Sequence, residues 1–461
     1  MSENLSKTDQ PTSEGGHREE IDWRYRSWGT FIMTPDGLFQ KTKPDAEPSW
    51  ISESFGIIGL ARDPDSNGWG LMLRWNDPDG CEHVRHIANA AIQRDPMALC
   101  AMLADGGLQV HRSKRQLLAD YAIGVELKER VTVVERTGWA EIKGRKVFIL
   151  PKSIIGESAD ESVVLVGIGK SPYSSHGSLE EWKTGIGRLA ADHANMILAI
   201  SAALAGPLLF LTGQEGGGIH FVGGSSKGKT TILQAAASVW GSGGSSGFVR
   251  SWRTTANALE SAAATSSDTV LILDELGQVD GKDAAAALYS LSNGIGKSRS
   301  TRDGGLREPK SWRVMVLSSG ELPIEAKLSE EKGQRARAGQ MVRMLDVPVD
   351  RGFGYGAFDS PGHDNDPANL AQLFKLASSR AYGTAGPAFV RLLIEKTVSG
   401  DHGRSRVCEF VERYSPPEAD GQIIRAAQRF GLLAAAGEYA IEFDIVPWEI
   451  GKPTDTNGAF T

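Results

Sequence analysis

The chain has 461 residues, with 50 lysines and arginines against 57 aspartates and glutamates, which gives a formal net charge of -7. This balance excludes a histone-like or wholly basic nucleic-acid coat, so any contact with nucleic acid must come from local patches. Hydrophobic residues make up 40% and charged residues 23%, the composition of a folded globular protein of two or three domains. The three cysteines are too few for a disulfide framework, which is typical of a reducing, cytoplasmic compartment.

Two regions precede the main chemical motifs. Residues 1–22 are polar and lack an apolar run, so we expect a disordered tail rather than a signal peptide. Residues 23–178 carry apolar runs separated by turn residues, which predict a β-meander, two short helices and a further hairpin. The turns are expected at Asn67-Gly68, Asp79-Gly80 and Lys143-Gly144, and the helices around residues 96–103 and 114–121. We interpret residues 23–178 as an accessory domain of mixed β/α structure.

From about residue 179 to residue 350, strands alternate with helices, a pattern that predicts a parallel α/β sheet. The most apolar stretch of the chain, Met196–Leu211, lies at the start of this region. It is shorter than the ~20 residues needed to span a bilayer. We therefore predict a buried core helix that ends at Gly206-Pro207, in a protein without a membrane segment.

The strongest motif is GGSSKGKT, residues 223–230, which fits G-x-x-x-x-G-K-[ST] between a predicted strand and a predicted helix. Glycines let the backbone wrap a phosphate, and the helix that follows adds its positive N-terminal end. Lys229 is expected to reach the β- and γ-phosphates, and the Thr230 hydroxyl to bind Mg²⁺. The motif predicts an ATP and Mg²⁺ site formed by Gly223, Gly224, Ser225, Ser226, Lys227, Gly228, Lys229, Thr230 and Thr231.

An acidic pair follows the next strongly apolar run. Val270–Leu273 is a continuous apolar segment typical of a buried parallel strand, and Asp274 and Glu275 come directly after it. Ligands of α/β sheets bind at the carboxyl ends of the strands. We therefore expect Asp274 to hold Mg²⁺ and Glu275 to act as the general base that polarises the attacking water.

A third strand is predicted over Trp312–Leu317, and Ser318 and Ser319 follow it. A polar side chain at this strand end would hydrogen-bond the γ-phosphate or the attacking water, the role of a sensor residue. The sequence does not distinguish between the two serines.

Several long segments in order resemble a known bacterial family, domain of unknown function 927. They run from GGIHFVGGSSKGKTTILQAAASVWG through VRSWRTTANALE, LILDELGQ and SNGIGKSRSTRDGGLREPKSWRVMVLSSGE to AGQMVRMLDVP. The resemblance covers roughly Ser54 to Pro348, with weaker similarity towards the C-terminus. It implies a gene of phage, plasmid or genomic-island replication and an AAA+ core similar to hexameric helicases of the minichromosome-maintenance type.

The resemblance also implies two sets of basic residues. Between the helix Asp283–Ser292 and the strand at Trp312, such helicases project a hairpin into the central pore; basic side chains there would track a phosphate backbone. We expect DNA contacts from Lys297, Arg299 and Arg302, the alternative being an ordinary solvated loop.

Arg343 directly precedes the apolar strand Met344–Val347, where the related helicases carry an arginine finger that acts on the nucleotide of the neighbouring subunit. Arg335 and Arg337 are alternative fingers, and Arg425 or Arg429 are candidates for a second sensor. The competing interpretation of Arg343 is a structural ion pair within its own subunit.

Residues 351–461 show helical spacing, which predicts a helical C-terminal domain. The expected fold is thus α/β, with a P-loop AAA+ parallel-sheet core at 179–350 between a β-rich mixed N-terminal domain and these helices.

We expect a cytoplasmic, ATP-dependent DNA helicase or translocase that forms a ring, specifically a hexamer. It would bind single-stranded DNA without sequence specificity. Primase or other replication proteins are further expected partners. Two alternatives stay open: an ATPase switch or loader that recruits such partners without unwinding, and a nucleotide-binding scaffold with little turnover.

Overall fold

A computed structural model describes residues 26–156, 161–167, 171–244, 247–297, 309–330, 343–362 and 364–460, and the backbone of residues 299–300 and 306–307. Within it the chain divides into two compact units between Val131 and Thr132. The predicted tail at residues 1–22 lies outside the described residues. The four-part division made from the sequence stays a prediction.

The first unit contains two antiparallel groups of three strands, β1-β2-β3 and β4-β5-β6, and three helices. The strands β4, β5 and β6 form the predicted meander, with glycines of positive φ at both predicted turns, Gly68 and Gly80. A helix that the sequence analysis missed directly follows β6. The elements are β1 (Phe31–Thr34), β2 (Gly37–Gln40), β3 (Ser49–Ser52), β4 (Gly56–Arg62), β5 (Gly70–Asn76), β6 (Glu82–Ala88), α1 (Asn89–Arg94), α2 (Met97–Asp105) and α3 (Arg115–Gly124).

The second unit opens with short strands and the predicted hairpin, which turns at Lys143-Gly144. Helical turns then lead to the central helix of the unit. These elements are β7 (Arg130–Val134, across the division), β8 (Gly138–Ile142), β9 (Arg145–Leu150), β10 (Ser153–Ile155), β11 (Ser162–Leu165), α4 (Leu179–Trp182), a π-helical segment (Lys183–Gly187), α5 (Arg188–Ala190) and α6 (Ala194–Thr212).

A five-stranded, wholly parallel sheet forms the centre of the second unit, with the strand order β13-β14-β17-β12-β18. Two further strands pair with each other in the basic segment before β17. The elements are β12 (Gly217–Val222), α7 (Lys229–Ala237), β13 (Val249–Ser251), α8 (Ala256–Ala264), β14 (Val270–Asp274), a 3₁₀ turn (Leu276–Gln278), α9 (Gly281–Asn293), β15 (Arg299–Ser300), β16 (Leu306–Arg307), β17 (Met315–Gly320), α10 (Ile324–Leu328) and β18 (Met344–Pro348).

Both faces of this sheet are covered, which explains the continuous apolar runs of its strands. In β14, Val270 and Ile272 join the large core that contains α6 and α7, whereas Leu271 and Leu273 join the core formed with α8, α9 and α10. Side chains of a strand alternate between faces, so a strand buried on both sides has no polar position. The mixed α/β class predicted from the sequence is confirmed.

The helix α6 corrects one expectation, because it continues past Pro207 to Thr212. A proline inside a helix removes the N–H that would bond the carbonyl four residues earlier. Here the indole Nε1 of Trp240 donates to that carbonyl, the oxygen of Ala203, at 2.8 Å. By length and composition this helix could cross a membrane, but 89% of its 18-residue apolar stretch is buried inside the protein.

We expect Trp240→Phe to lower the free energy of unfolding by about 2–4 kcal/mol, since it leaves the buried Ala203 carbonyl without a donor and removes core volume. Adding Pro207→Ala restores a backbone N–H at the position that would bond this carbonyl. Denaturant unfolding of the two single variants and the double variant measures the coupling. Strictly additive losses would contradict the role assigned to the indole N–H.

The C-terminal part of the second unit is helical, as its periodicity indicates. Its last helix buries Pro453 and Asn457. The long helix Gly421–Glu442 packs against α6 and contributes Leu432, Leu433 and Ala436 to the large core. The helices are α11 (Pro367–Arg380), α12 (Ala385–Glu395), α13 (Gly400–Tyr414), α14 (Gly421–Glu442) and α15 (Lys452–Gly458).

Candidate functional site

The predicted phosphate loop connects β12 to α7 at the carboxyl edge of the parallel sheet. The Lys229 ammonium donates to the carbonyl oxygens of Gly223 and Gly224, at 2.6 and 2.7 Å, and so lies across the loop. Gly228 has a φ of 89°, and a Cβ added there would lie 2.8 Å from the Cβ of Ala357. A side chain at position 228 would therefore be strained both by its backbone conformation and by this contact.

The acidic pair meets the phosphate loop at the same edge. Asp274 is the last residue of β14, and the Thr230 hydroxyl donates to its Oδ2 at 3.1 Å. Mg²⁺ commonly takes one or two protein oxygens and completes its octahedron with waters and phosphates. A hydroxyl and a carboxylate this close form such a donor set, so the predicted metal ligands fit the ion.

Glu275 has a left-handed backbone, with a φ of 64°, and its side chain is exposed. For a residue with a Cβ this conformation costs about 1–2 kcal/mol, and such strain is concentrated at functional sites. Glu275 directly follows the strand that ends at Asp274, and it lines the cleft that holds the phosphate loop.

The two serines of β17 differ sharply in their surroundings. The strand runs over Met315–Gly320, three residues later than predicted, so both serines lie inside it and neither is exposed. Ser319 donates to Oδ1 of Asp274 and accepts the backbone N–H of Glu275 at 3.3 Å. Ser318 instead contacts His220 and Trp252, beneath the cleft. Of the two candidates, Ser319 is the one beside the acidic pair.

A cleft of about 1260 Å³ brings together the loop residues Ser225–Thr231 and both acidic residues. Its remaining wall comes from parts of the chain that the sequence analysis did not assign to the site. They include the 3₁₀ turn, the turn after β17, Lys327 of α10, the glycine-rich segment that contains Tyr355 and Phe358, and the start of α11 with Gln372. The only sequence signal for this wall is the alternation of glycines at 352, 354 and 356.

Arg343, the arginine expected to act as a finger, lies at the amino ends of the strands, opposite the carboxyl ends where the phosphate loop lies. The backbone oxygen of Arg343 accepts the N–H of Gly218, at the start of β12, whereas the phosphate loop begins after the end of this strand. The two ends of β12 are separated by roughly 17 Å of strand. Within its own chain the Arg343 guanidinium contacts Asn293 Oδ1 at 2.5 Å and Glu215 Oε2 at 3.6 Å.

The two candidates for a second sensor lie near Arg343, around a cavity of about 560 Å³. Arg425 is exposed, whereas Arg429 is buried and donates through Nη2 to the oxygen of Gly216 at 3.2 Å. Burial lowers the pKa of Arg429 to about 10. Neither arginine reaches the phosphate loop of its own chain. Arg335 and Arg337 lie outside the described residues.

The basic segment between α9 and β17 is described only in part. Its start is held by Glu260, whose Oε1 accepts the backbone N–H of Lys297 at 3.2 Å. The strand β15, which begins at Arg299, pairs antiparallel with β16, so a hairpin is present in the backbone. The side chain of Arg299 and all of Arg302 lie outside the described residues.

Comparison with solved structures finds proteins of similar fold. The chain aligns with SCCmec type IV Cch, described as an active helicase, with a TM-score of 0.71 and 19% identity over 93% of this chain and 77% of that one. At this identity the likeness concerns the fold. A further match, the A form apo structure of the NrS-1 C-terminal region, has a TM-score of 0.29 and 10% identity over 83% of this chain and 87% of that one, too low to establish a shared fold.

No curated protein matches this sequence. A family model does, over residues 32–311, which is more than half of the chain and includes the phosphate loop and the acidic pair. The chain therefore belongs to the family described as domain of unknown function (DUF927).

Proposed function

We propose that this protein is an AAA+ ATPase that hydrolyses ATP with Mg²⁺ and uses the energy to move along or unwind DNA. The observation that carries the proposal is the meeting of Lys229, Thr230 and Asp274 at the carboxyl edge of one parallel sheet. The strand order supports the AAA+ class, because the sensor strand β17 lies between the phosphate-loop strand and the acidic strand.

Each residue of the cleft has a distinct part in the proposed reaction. Lys229 would neutralise the β- and γ-phosphates, and Thr230 and Asp274 would hold the Mg²⁺, which would offset further phosphate charge. Glu275 orients the attacking water and accepts its proton. Ser319, which contacts Asp274 and the backbone of Glu275, would sense the γ-phosphate through this acidic pair. An acidic base beside the Mg²⁺ carboxylate favours hydrolysis over a scaffold that only binds nucleotide.

The DNA part of the proposal rests on the basic segment and on the fold shared with a helicase. Lys297, Arg299 and Arg302 would contact the phosphates of a single strand, without reading its bases. Motors of this class work as rings, so we propose a homo-oligomer, a hexamer, with primase or other replication proteins as partners. The free cysteines Cys81, Cys100 and Cys408 support a cytoplasmic location.

The alanine variant of Lys297, Arg299 and Arg302 should bind single-stranded DNA more weakly. It should show a shallower salt dependence, with the slope of log affinity against log salt reduced by about 2, because each lost phosphate contact accounts for ~0.7. Fluorescence anisotropy over a salt series measures this. A control triple variant removes the same charge from exposed helix positions, Lys375, Arg380 and Arg391. Equal slopes for the two triple variants would assign the basic segment to plain surface.

The proposed function is tested directly by steady-state ATP hydrolysis with and without single-stranded DNA. We expect Mg²⁺-dependent turnover that DNA stimulates, and loss of this stimulation in the basic-segment variant. Absence of turnover in the wild-type protein would contradict the proposal.

A further inference from the structure

A buried chain of hydrogen bonds lies directly beneath the candidate hydrolysis site. It links Trp252, Ser318, His220 and Leu322, and we call it the His220 chain. The Trp252 Nε1 lies 2.9 Å from Ser318 Oγ, His220 Nδ1 lies 2.8 Å from the same oxygen, and His220 Nε2 lies 3.1 Å from the Leu322 carbonyl oxygen. The histidine and the serine are fully buried, and Trp252 is 2% exposed.

The chemistry of these groups determines where every proton lies. A carbonyl oxygen only accepts, so Nε2 of His220 must carry the ring proton and donate it to Leu322. Nδ1 is then an acceptor, and the Ser318 hydroxyl donates to it while accepting the indole N–H of Trp252. Burial lowers the pKa of His220 to about 4, so the ring is neutral near pH 7. The polar groups of the His220 chain are therefore all paired in one arrangement of protons only.

The His220 chain connects three strand ends that form the cleft. His220 belongs to β12, which leads into the phosphate loop, and Ser318 precedes Ser319, which contacts Asp274. Trp252 follows β13, and its backbone N–H donates to the carbonyl oxygen of Asp274 at 3.0 Å.

The fourth member, Leu322, lies in the turn Gly320–Leu322, which lines the cleft opposite the phosphate loop. A Cβ added at Gly320 would lie 2.9 Å from Cε1 of His220, so the strand passes close over the ring. Displacement of the ring would therefore move both the turn and the strand end that carries Ser319.

We propose that His220 is a positioning residue for ATP hydrolysis, which holds Ser319 and the turn Gly320–Leu322 in register with Asp274 through Ser318, Trp252 and Leu322. This inference rests on the proposed ATPase function and adds to it a residue that does not touch the nucleotide. Small displacements of groups around a reacting centre affect the chemical step far more than the binding of the ground state.

Three substitutions separate the two hydrogen bonds of the ring. His220→Leu removes both; His220→Gln keeps a donor near the Nε2 position for Leu322; His220→Asn keeps an acceptor near the Nδ1 position for Ser318. We expect kcat for ATP hydrolysis to fall about 10- to 100-fold in the leucine variant, and the dissociation constant of a non-hydrolysable ATP analogue to change less than about twofold. The glutamine and asparagine variants should lie between the leucine variant and the wild type.

Ser318→Ala provides a second, milder interruption of the His220 chain, with a matched control in Ser292→Ala. Ser292 is also buried, but its hydroxyl bonds only the Leu288 carbonyl of its own helix. We expect Ser318→Ala to lower kcat and Ser292→Ala to leave it unchanged, with both proteins folded by circular dichroism. Should the leucine variant fail to fold, the glutamine and Ser318→Ala variants decide the question.

The outcomes for this inference and for the proposed function are distinct. A wild-type protein that does not hydrolyse ATP contradicts the proposed function. A hydrolysing wild type whose folded His220 and Ser318 variants keep its kcat overturns the positioning role alone. The role is also overturned if nucleotide affinity falls in parallel with kcat and the glutamine variant is no better than leucine, since His220 would then only support the fold.

Discussion

Glu275→Gln is expected to bind ATP with wild-type affinity and to hydrolyse it about 10²- to 10⁴-fold more slowly. A general base contributes a factor of this size, and the amide keeps the shape of the side chain but cannot accept the proton of the attacking water. Glu275 is exposed and lines the cleft, which leaves its carboxylate available for a water molecule. Phosphate release and analogue binding measure the two properties separately.

Two variants serve as references for Glu275→Gln. Lys229→Ala should lose nucleotide binding, because it removes the cation that neutralises the β- and γ-phosphates. Glu325→Gln makes the same chemical change at an exposed position on α10, at the same edge of the sheet but outside the cleft lining, and should keep wild-type turnover. Wild-type turnover in Glu275→Gln would show that another group is the base.

Arg343→Ala should lower ATP hydrolysis by about 10³- to 10⁵-fold, the range measured for arginine fingers. Because it lies at the amino ends of the strands, away from the phosphate loop of its own chain, we expect Arg343 to act on the nucleotide of another subunit. Mixing Arg343→Ala with Lys229→Ala, each inactive alone, should therefore restore partial hydrolysis, since some interfaces then pair an intact loop with an intact arginine. Steady-state turnover as a function of the mixing ratio is the measurement.

A further variant, Glu215→Gln, tests the competing interpretation of Arg343 as a structural ion pair. The guanidinium lies 3.6 Å from Glu215, so a purely structural ion pair would be lost equally in Glu215→Gln. We expect Glu215→Gln to keep most of its activity, because a half-exposed pair of this kind contributes little stability. Loss of activity in both variants, with no recovery in mixed rings that are shown to form, would place the finger elsewhere.

The parts of the site that the sequence predicts well are those encoded by neighbouring residues. The phosphate loop and the acidic pair each combine a short motif with a flanking apolar strand, and the fold brings the Thr230 hydroxyl within 3.1 Å of Asp274 Oδ2. The choice between Ser318 and Ser319 needed the strand register, because alternate side chains point to opposite faces. A strand placed three residues too early hid that difference.

Other features depend on contacts between distant segments and leave little trace in the sequence. The continuation of α6 past Pro207 requires the indole of Trp240 at the orphaned Ala203 carbonyl. The far wall of the cleft is formed by Tyr355 and by the start of α11, well over a hundred residues after the phosphate loop. His220 reads as an ordinary strand residue until its two ring contacts are known.

The central claim, that ATP hydrolysis drives movement on DNA, is tested most directly by strand displacement on a forked duplex. The account predicts that the wild-type protein releases the labelled strand with ATP and Mg²⁺, and that Glu275→Gln binds the fork but releases none. An ATPase switch or loader would instead hydrolyse ATP and bind the fork without displacing the strand. DNA-stimulated hydrolysis without displacement on forks of either polarity would therefore contradict the motor function.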